Sequence, residues 1–248
     1  MSTEAFQIIL QINPGLAYYL VAFDQVKSIL FESRISTDQA KVCQSTFEYL
    51  QQQQASIQQE PRALYLQFRV WWLSQCRTSL FSQEDRQTLP FNQENWQQCY
   101  RFVTELRAMG EFRDDLKLLY LEGLAHFHLN RVEACIALFR EMETESLIIG
   151  RRRIHRSYLA SMTSGQPRRF IGEVESRHAK SNEAGFVYIP ELQHSIKFIP
   201  QQFGKPEIQR GETLGEFHIG FNFLGPIADP INYYVERAER SKLTSPSI

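Results

Sequence analysis

Two kinds of side chain have the type and spacing to act on a ligand, and both lie between positions 151 and 203. Phe186 and Tyr188 alternate within the run from Gly185 to Ile189, and Lys197 stands inside the run from Ser195 to Ile199. Arg151, Arg152, Arg153, Arg156, Arg168 and Arg169 crowd the stretch before them. Along a strand successive side chains face opposite sides, so Phe186 and Tyr188 point out of a sheet whose interior takes Val187 and Ile189. Two aromatic rings side by side on an outer sheet surface form a stacking platform for unpaired bases, at about 1–3 kcal/mol per stacked base. The arginines bring phosphate chemistry, since each cation that meets a backbone phosphate releases counterions and adds salt-dependent affinity. On a helix, Arg152 and Arg156 share a face at i and i+4 with no acidic neighbour, a repulsion that solvent or an anion must offset. The basic run reads two ways: a solvated final helix that neutralises an acidic helical region, or a ramp of phosphate contacts.

Other chemistries lack their residue sets. His126 and His128 are two apart, so on a helix they face opposite sides and cannot chelate as a pair at i and i+4 would. One is expected to be exposed and the other wedged between helices. Cys43, Cys76, Cys99 and Cys135 are widely spaced, with no CxxC and no histidine at ligand spacing, which reads as buried reduced thiols. Neither converging carboxylates, nor a serine–histidine–aspartate order, nor a phosphate-cradling glycine loop is legible. The expectation is a protein without metal, cofactor or catalytic activity.

With 248 residues, 43% hydrophobic and 22% charged, the chain is long enough for one large or two ordinary domains with real cores. Its net charge of -1 conceals an asymmetry. Residues 1–149 carry 13 Lys and Arg against 18 Asp and Glu, a net of -5, whereas residues 150–198 carry 9 against 4, a net of +5. A polyanionic partner is therefore favoured at the junction and first strands rather than on the helices. No charged start with an apolar core and cleavage site is present, and no apolar run nears the roughly 20 residues that span a bilayer. A cytoplasmic address with no membrane partner is expected.

The elements that must position these residues begin with helices. An amphipathic helix over Ser2–Ile12 is stopped by Asn13-Pro14. A second, Leu16 to Glu32, is expected to bury Leu16, Tyr19, Leu20, Phe23, Val26, Leu30 and Phe31 on one stripe. Ser36-Thr37-Asp38 offers caps for a third that runs through Gln51–Gln54. Pro61 fits the first turn of a fourth, carrying Leu64, Phe68, Trp71, Trp72, Leu80 and Phe81. Because Trp71 and Trp72 point about 100° apart, core packing is expected of them rather than a flat binding surface. Asn92 or Gln93 caps a fifth helix, with Gly110 as its stop. Two further runs, residues 113–130 and 131–146, make a helical hairpin with small Gly123 and Ala125, Asn130 at the turn, and Ala134 and Phe139 on the return. This pair resembles a tetratricopeptide (TPR) repeat, with a turn one residue shorter than usual, and implies antiparallel helical hairpins that bind protein.

Ser164-Gly165-Gln166-Pro167 ends the helical pattern and reads as a linker. Beyond it come short alternating runs parted by Gly, Pro and polar turns, which signal a compact sheet. Phe217, Ile219, Phe221 and Phe223 alternate on one face and read as core. The order Ile171-Gly-Glu-Val174, Gly185-Phe-Val-Tyr-Ile189, Ser195-Ile-Lys-Phe-Ile199, residues 211–222 and Gly225-Pro-Ile-Ala-Asp-Pro-Ile231 resembles the cold-shock domain, a five-stranded OB-fold barrel. Gly172 and Val174 match its first strand, Gly185, Phe186, Tyr188 and Ile189 its RNP1 strand, and Gly225, Pro226 and Ala228 its last. The sequence departs from that pattern at Glu175, Ser176 and Arg177, where the family continues with lysine and two aromatics. It departs again at Lys197 and Ile199, where the family exposes Phe and His. The resemblance thus implies a platform reduced to Phe186 and Tyr188, helped by Phe203, with Arg177, Lys180 and Lys197 supplying charge.

The fold class expected is α+β in two domains: TPR-like helical hairpins over residues 1–163, a linker over 164–168, an OB-like barrel over 169–234, and a tail over 235–248. The function expected is a non-catalytic adaptor that binds single-stranded RNA or DNA through Phe186, Tyr188, Lys197, Arg177, Lys180, Phe203, Arg168, Arg169, Arg152 and Arg156, and protein through its helices. The alternative is a scaffold subunit of a bacterial defence or regulatory complex, with both domains docking protein. Tyr188 also has a plain structural reading of its own, a tyrosine half packed against the last helix.

Overall fold

Capping chemistry sets the helices of the N-terminal part. Asn13 accepts the Leu16 amide at 3.0 Å, separating α1 (Thr3–Ile12) from α2 (Pro14–Val26), with Pro14 in the first turn. Ser36 and Gln39 form a reciprocal capping box at the start of α3 (Thr37–Gln52), and Asn92 and Asn95 form another for α6 (Gln93–Ala108). Between them lie α4 (Gln54–Ile57) and α5 (Pro61–Cys76), followed after α6 by α7 (Leu116–His128) and α8 (Val132–Ile148). The computed structural model describes residues 3–80, 88–148, 158–160, 162, 166–176, 184–204, 208–222 and 225–231. Two compact units divide the chain, one of residues 1–84 with 90–125 and one of residues 85–89 with 126–248.

In the first unit α3 packs on α5 and α2 lies against both. Its core is aromatic. Trp71 and Trp72 are buried and meet Phe91 at 5.3 Å each, Phe91 meets Trp96 edge-on at 5.0 Å, and Phe68 meets Phe102 at 5.6 Å. The expected second helix is shorter than its pattern. It stops at Val26, and a 3-10 turn over Ile29–Phe31 rotates Phe31 off the stripe to 82% exposure. Likewise α5 ends at Cys76, because Arg77 takes a left-handed conformation and its carbonyl accepts the Ile35 amide, so Leu80 lies beyond the helix. The fifth helix stops at Ala108, and Gly110 opens a separate 3-10 turn. All four cysteines are free. Burial pushes the Cys43 thiol up to about 11 and Cys135 up to about 12, and raises Cys76 and Cys99 as well.

Among the described residues the second unit holds α8 and six strands: β1 (Tyr158–Leu159), β2 (Arg169–Ser176), β3 (Gly185–Ile189), β4 (His194–Phe198), β5 (Thr213–Asn222) and β6 (Gly225–Pro230). Around the barrel the order is β5-β2-β3-β4-β6, closed by pairing of β6 with β5. All these pairs are antiparallel except β4 with β6, which run parallel with Lys197 opposite Ile227. The result is a closed, five-stranded, OB-like barrel. Strand alternation fills it: Val187, Ile189, Phe217, Ile219 and Phe221 are fully buried. Phe223 lies outside the described residues.

The first barrel strand begins earlier than expected and is interrupted. Tyr158 pairs with Phe221 and Leu159 with Gly220, the Ala160 amide donates to Ile219 O at 2.8 Å, and β2 then takes over beside His218 and Phe217. Thus β1 and β2 share one lane along β5. The chain between them loops out, closed by Arg168 N to Ala160 O and Met162 N to Gln166 O, both 2.8 Å. Of residues 164–168, expected to link two domains, residues 166–168 belong to this excursion; Ser164 and Gly165 lie outside the described residues. The boundary expected at 163/164 likewise differs from the division of the units, which falls at Ala125/His126. That division cuts the first helix of the expected hairpin: residues 116–125 of α7 fall in the first unit and residues 126–128 go with α8 in the second. The proposed tail, 235–248, lies outside the described residues.

Candidate nucleic-acid interface

Glycine lets the strands that carry the platform lie close. A Cβ on Gly172 would fall 2.5 Å from Val187 Cγ2 and 2.7 Å from Tyr188 O, so only the bare backbone allows β2 to seat tightly on β3. On β3 and from Ser195 onward on β4 side chains alternate: Val187, Ile189, Ile196 and Phe198 are buried, while Phe186 is 37% exposed and Tyr188, Ser195 and Lys197 are half-buried. The register sets Phe186 opposite Lys197 and Tyr188 opposite Ser195. Directly opposed residues on one face have Cβ atoms about 4.5–5.5 Å apart, so an aromatic ring and an ammonium share one patch of the outer face.

The two aromatics have different company. Glu173 stands opposite Tyr188, and Glu175 accepts a hydrogen bond from Ser195 Oγ. The Tyr188 end of the face is thus acidic, and the Phe186 end cationic. Phe186 also lines a cleft of about 330 Å³ with Ser195, Ile196, Lys197 and Pro226 on the barrel and Ile136, Phe139 and Arg140 on α8. The helix is held there by Phe139, whose ring stacks on Phe221 at 6.2 Å. Gly225, at φ +107, lets it approach: a Cβ on that residue would come within 3.2 Å of Phe139 Cβ. Glu133 of α8 reaches His194 Nε2 at 3.6 Å.

The remaining expected site residues are distributed otherwise. Arg168 pairs with Glu191 and lies 5.1 Å from the Phe170 ring centroid, while its carbonyl meets His218 Nδ1 at 2.9 Å. Arg169 pairs with Glu216 at 2.7 Å. Both arginines therefore meet barrel carboxylates, in solvent-reached pairs of the kind worth about 0–1 kcal/mol. Phe203 does not join the platform. It closes a 3-10 turn over Pro200–Phe203 and packs edge-on against the inward rings of Phe198 and Phe217, at 6.2 and 6.3 Å. Arg152, Arg156, Arg177 and Lys180 lie outside the described residues. Ile136, Arg140 and Pro226 were not anticipated; periodicity shows that α8 has a buried face but not what that face meets.

His126 and His128 are both half-buried, in place of one exposed and one wedged. Burial, with the Arg168 charge adding to it, pushes the His128 imidazole down to about 3. No cluster of three His, Cys, Asp or Glu suited to a metal ion occurs among the described residues, and no helix among them is long and apolar enough to cross a membrane. No protein-family profile matches the chain, and neither a curated protein nor a solved structure does.

Proposed function

We propose that the chain is a non-catalytic, cytoplasmic adaptor whose barrel takes single-stranded RNA or DNA and whose helices take a protein partner. The observation that carries this reading is the pairing of Phe186 with Lys197 on the outer β3–β4 face of an OB-like barrel. That face is where OB folds bind oligonucleotides, using aromatic rings for bases and cations for the backbone. The cold-shock likeness supports it, since Gly172, Gly185, Phe186 and Tyr188 fall on the barrel's first two long strands. The TPR likeness of residues 113–146 supports a protein-binding helical part.

A test uses freshly purified full chain. Co-purifying nucleic acid should raise the ultraviolet absorbance ratio, and labelled single strands should bind at low salt and be released as salt rises. Replacing Phe186 and Tyr188 together by alanine should weaken binding about tenfold or more. Unchanged affinity would remove the platform from the reading. The acidic pair Glu173 and Glu175 beside Tyr188 favours a second reading, a protein-docking scaffold. A stoichiometric partner that co-purifies without nucleic acid would select it.

A further inference from the structure

We propose that the cleft between α8 and the β3–β4 face holds one nucleotide unit, a nucleobase with its phosphate, and not a longer run of stacked bases. This rests on the reading that the barrel takes single-stranded nucleic acid. The cleft offers the exposed ring of Phe186 for the base, with Ile136, Phe139 and Pro226 as apolar walls. Every base has a π-face, so such a surface accepts any of them. Arg140 on the helix and Lys197 on the barrel bring two cations to an otherwise mostly apolar cavity, which suits a phosphate attached to a flat ring. Its volume, about 330 Å³, is at the small end of ligand pockets, which run from about 300 to 1,000 Å³.

Two features stop the site from extending along a strand. The helix forms a wall, fixed through the Phe139–Phe221 stack and the close approach at Gly225. Tyr188, the only other outward aromatic of β3, is not part of the cleft lining. It is flanked by Glu173 and by Glu175 on Ser195, whose charges repel a second phosphate. The β3–β4 face is therefore a one-base seat.

The test measures binding of the full chain to uridine and adenosine monophosphates and to oligouridylates of two, four and eight residues at low salt. Affinity should rise from two to eight residues only in proportion to the number of registers available. Ile136→Trp, which fills the cleft, and Arg140→Glu, on the exposed face of α8, should each weaken binding about tenfold or more. The second variant carries the test if the first fails to fold. Monophosphates that bind as well as the oligomers identify a free nucleotide as the ligand; binding that begins with the dinucleotide identifies a strand. Either result supports the seat. Affinity that climbs with every added residue and ignores both variants overturns the seat and leaves strand binding intact. No binding of any probe overturns both.

Discussion

His128 ties folding to acidity through a single proton. Its imidazole is neutral in the folded chain down to about pH 3 because burial and the Arg168 charge oppose protonation, whereas an unfolded histidine titrates near about 6.5. Between those two values the unfolded chain holds a proton that the folded chain lacks, so stability is full above about 6.5 and is lost as pH falls through the window. The slope is at most about 1.4 kcal/mol per pH unit, which for a half-buried ring amounts to about 1–2 kcal/mol by about pH 5. Denaturant unfolding at about pH 7.5 and about pH 5 should show this loss in the second unit, and His128→Gln should remove most of it. An equal loss in both chains would clear His128 of the effect. The pair of histidines was legible as a non-chelating pair, from their spacing of two. Their burial was not, because the helix that carries them ends against β5, through rings of Phe127 and Phe221 5.0 Å apart.

Strands were the most legible elements. Phe186 and Tyr188 outward, Val187 and Ile189 inward follow from period-two alternation alone, because a closed barrel buries one face of every strand. What escaped were features without a period. Tyr158-Leu159 is too short to alternate, so the pattern shows the first strand only from Arg169 onward and gives no sign that the chain before it already pairs with β5. Phe203 looked like a third platform ring because sequence proximity to Lys197 carries no information about which side of the barrel the 3-10 turn folds over. The approach of α8 to β6 was also hidden, although its cause is one residue. Gly225 needs its positive φ and has Phe139 Cβ at 3.2 Å from where a side chain would start. Gly225→Ala should therefore destabilise the second unit by about 1–3 kcal/mol, while Gly215→Ala on β5, with nothing within 4 Å, should leave it nearly unchanged. Urea midpoints of the two variants check the contrast; equal midpoints would mean that α8 tolerates displacement.

At the scale of the molecule, the α+β composition and the existence of two parts were legible from the change of period near residue 160. Where the parts divide was not. The division at Ala125/His126 gives the barrel unit its own helix and β1, so removing them exposes Phe221 and leaves the β5 backbone at Gly220 and Phe221 with β6 as its neighbour on one side and none from β1 on the other. A chain trimmed to 126–248 should unfold cooperatively, and one trimmed to 164–248 should aggregate or show no transition by circular dichroism. Two well-behaved fragments would show that β1 and α8 are dispensable. Closure has a further consequence, in time rather than in space. The strand that closes the barrel, β6, is the last among the described residues and pairs with both β4 and β5. A ribosome adding about 5–20 residues per second needs about 0.7–3 s to travel from Phe217 to Pro230. For that interval the apolar lane of Phe217, Ile219 and Phe221 waits without its final neighbour, which makes the nascent barrel, rather than the finished one, the form most in need of a chaperone.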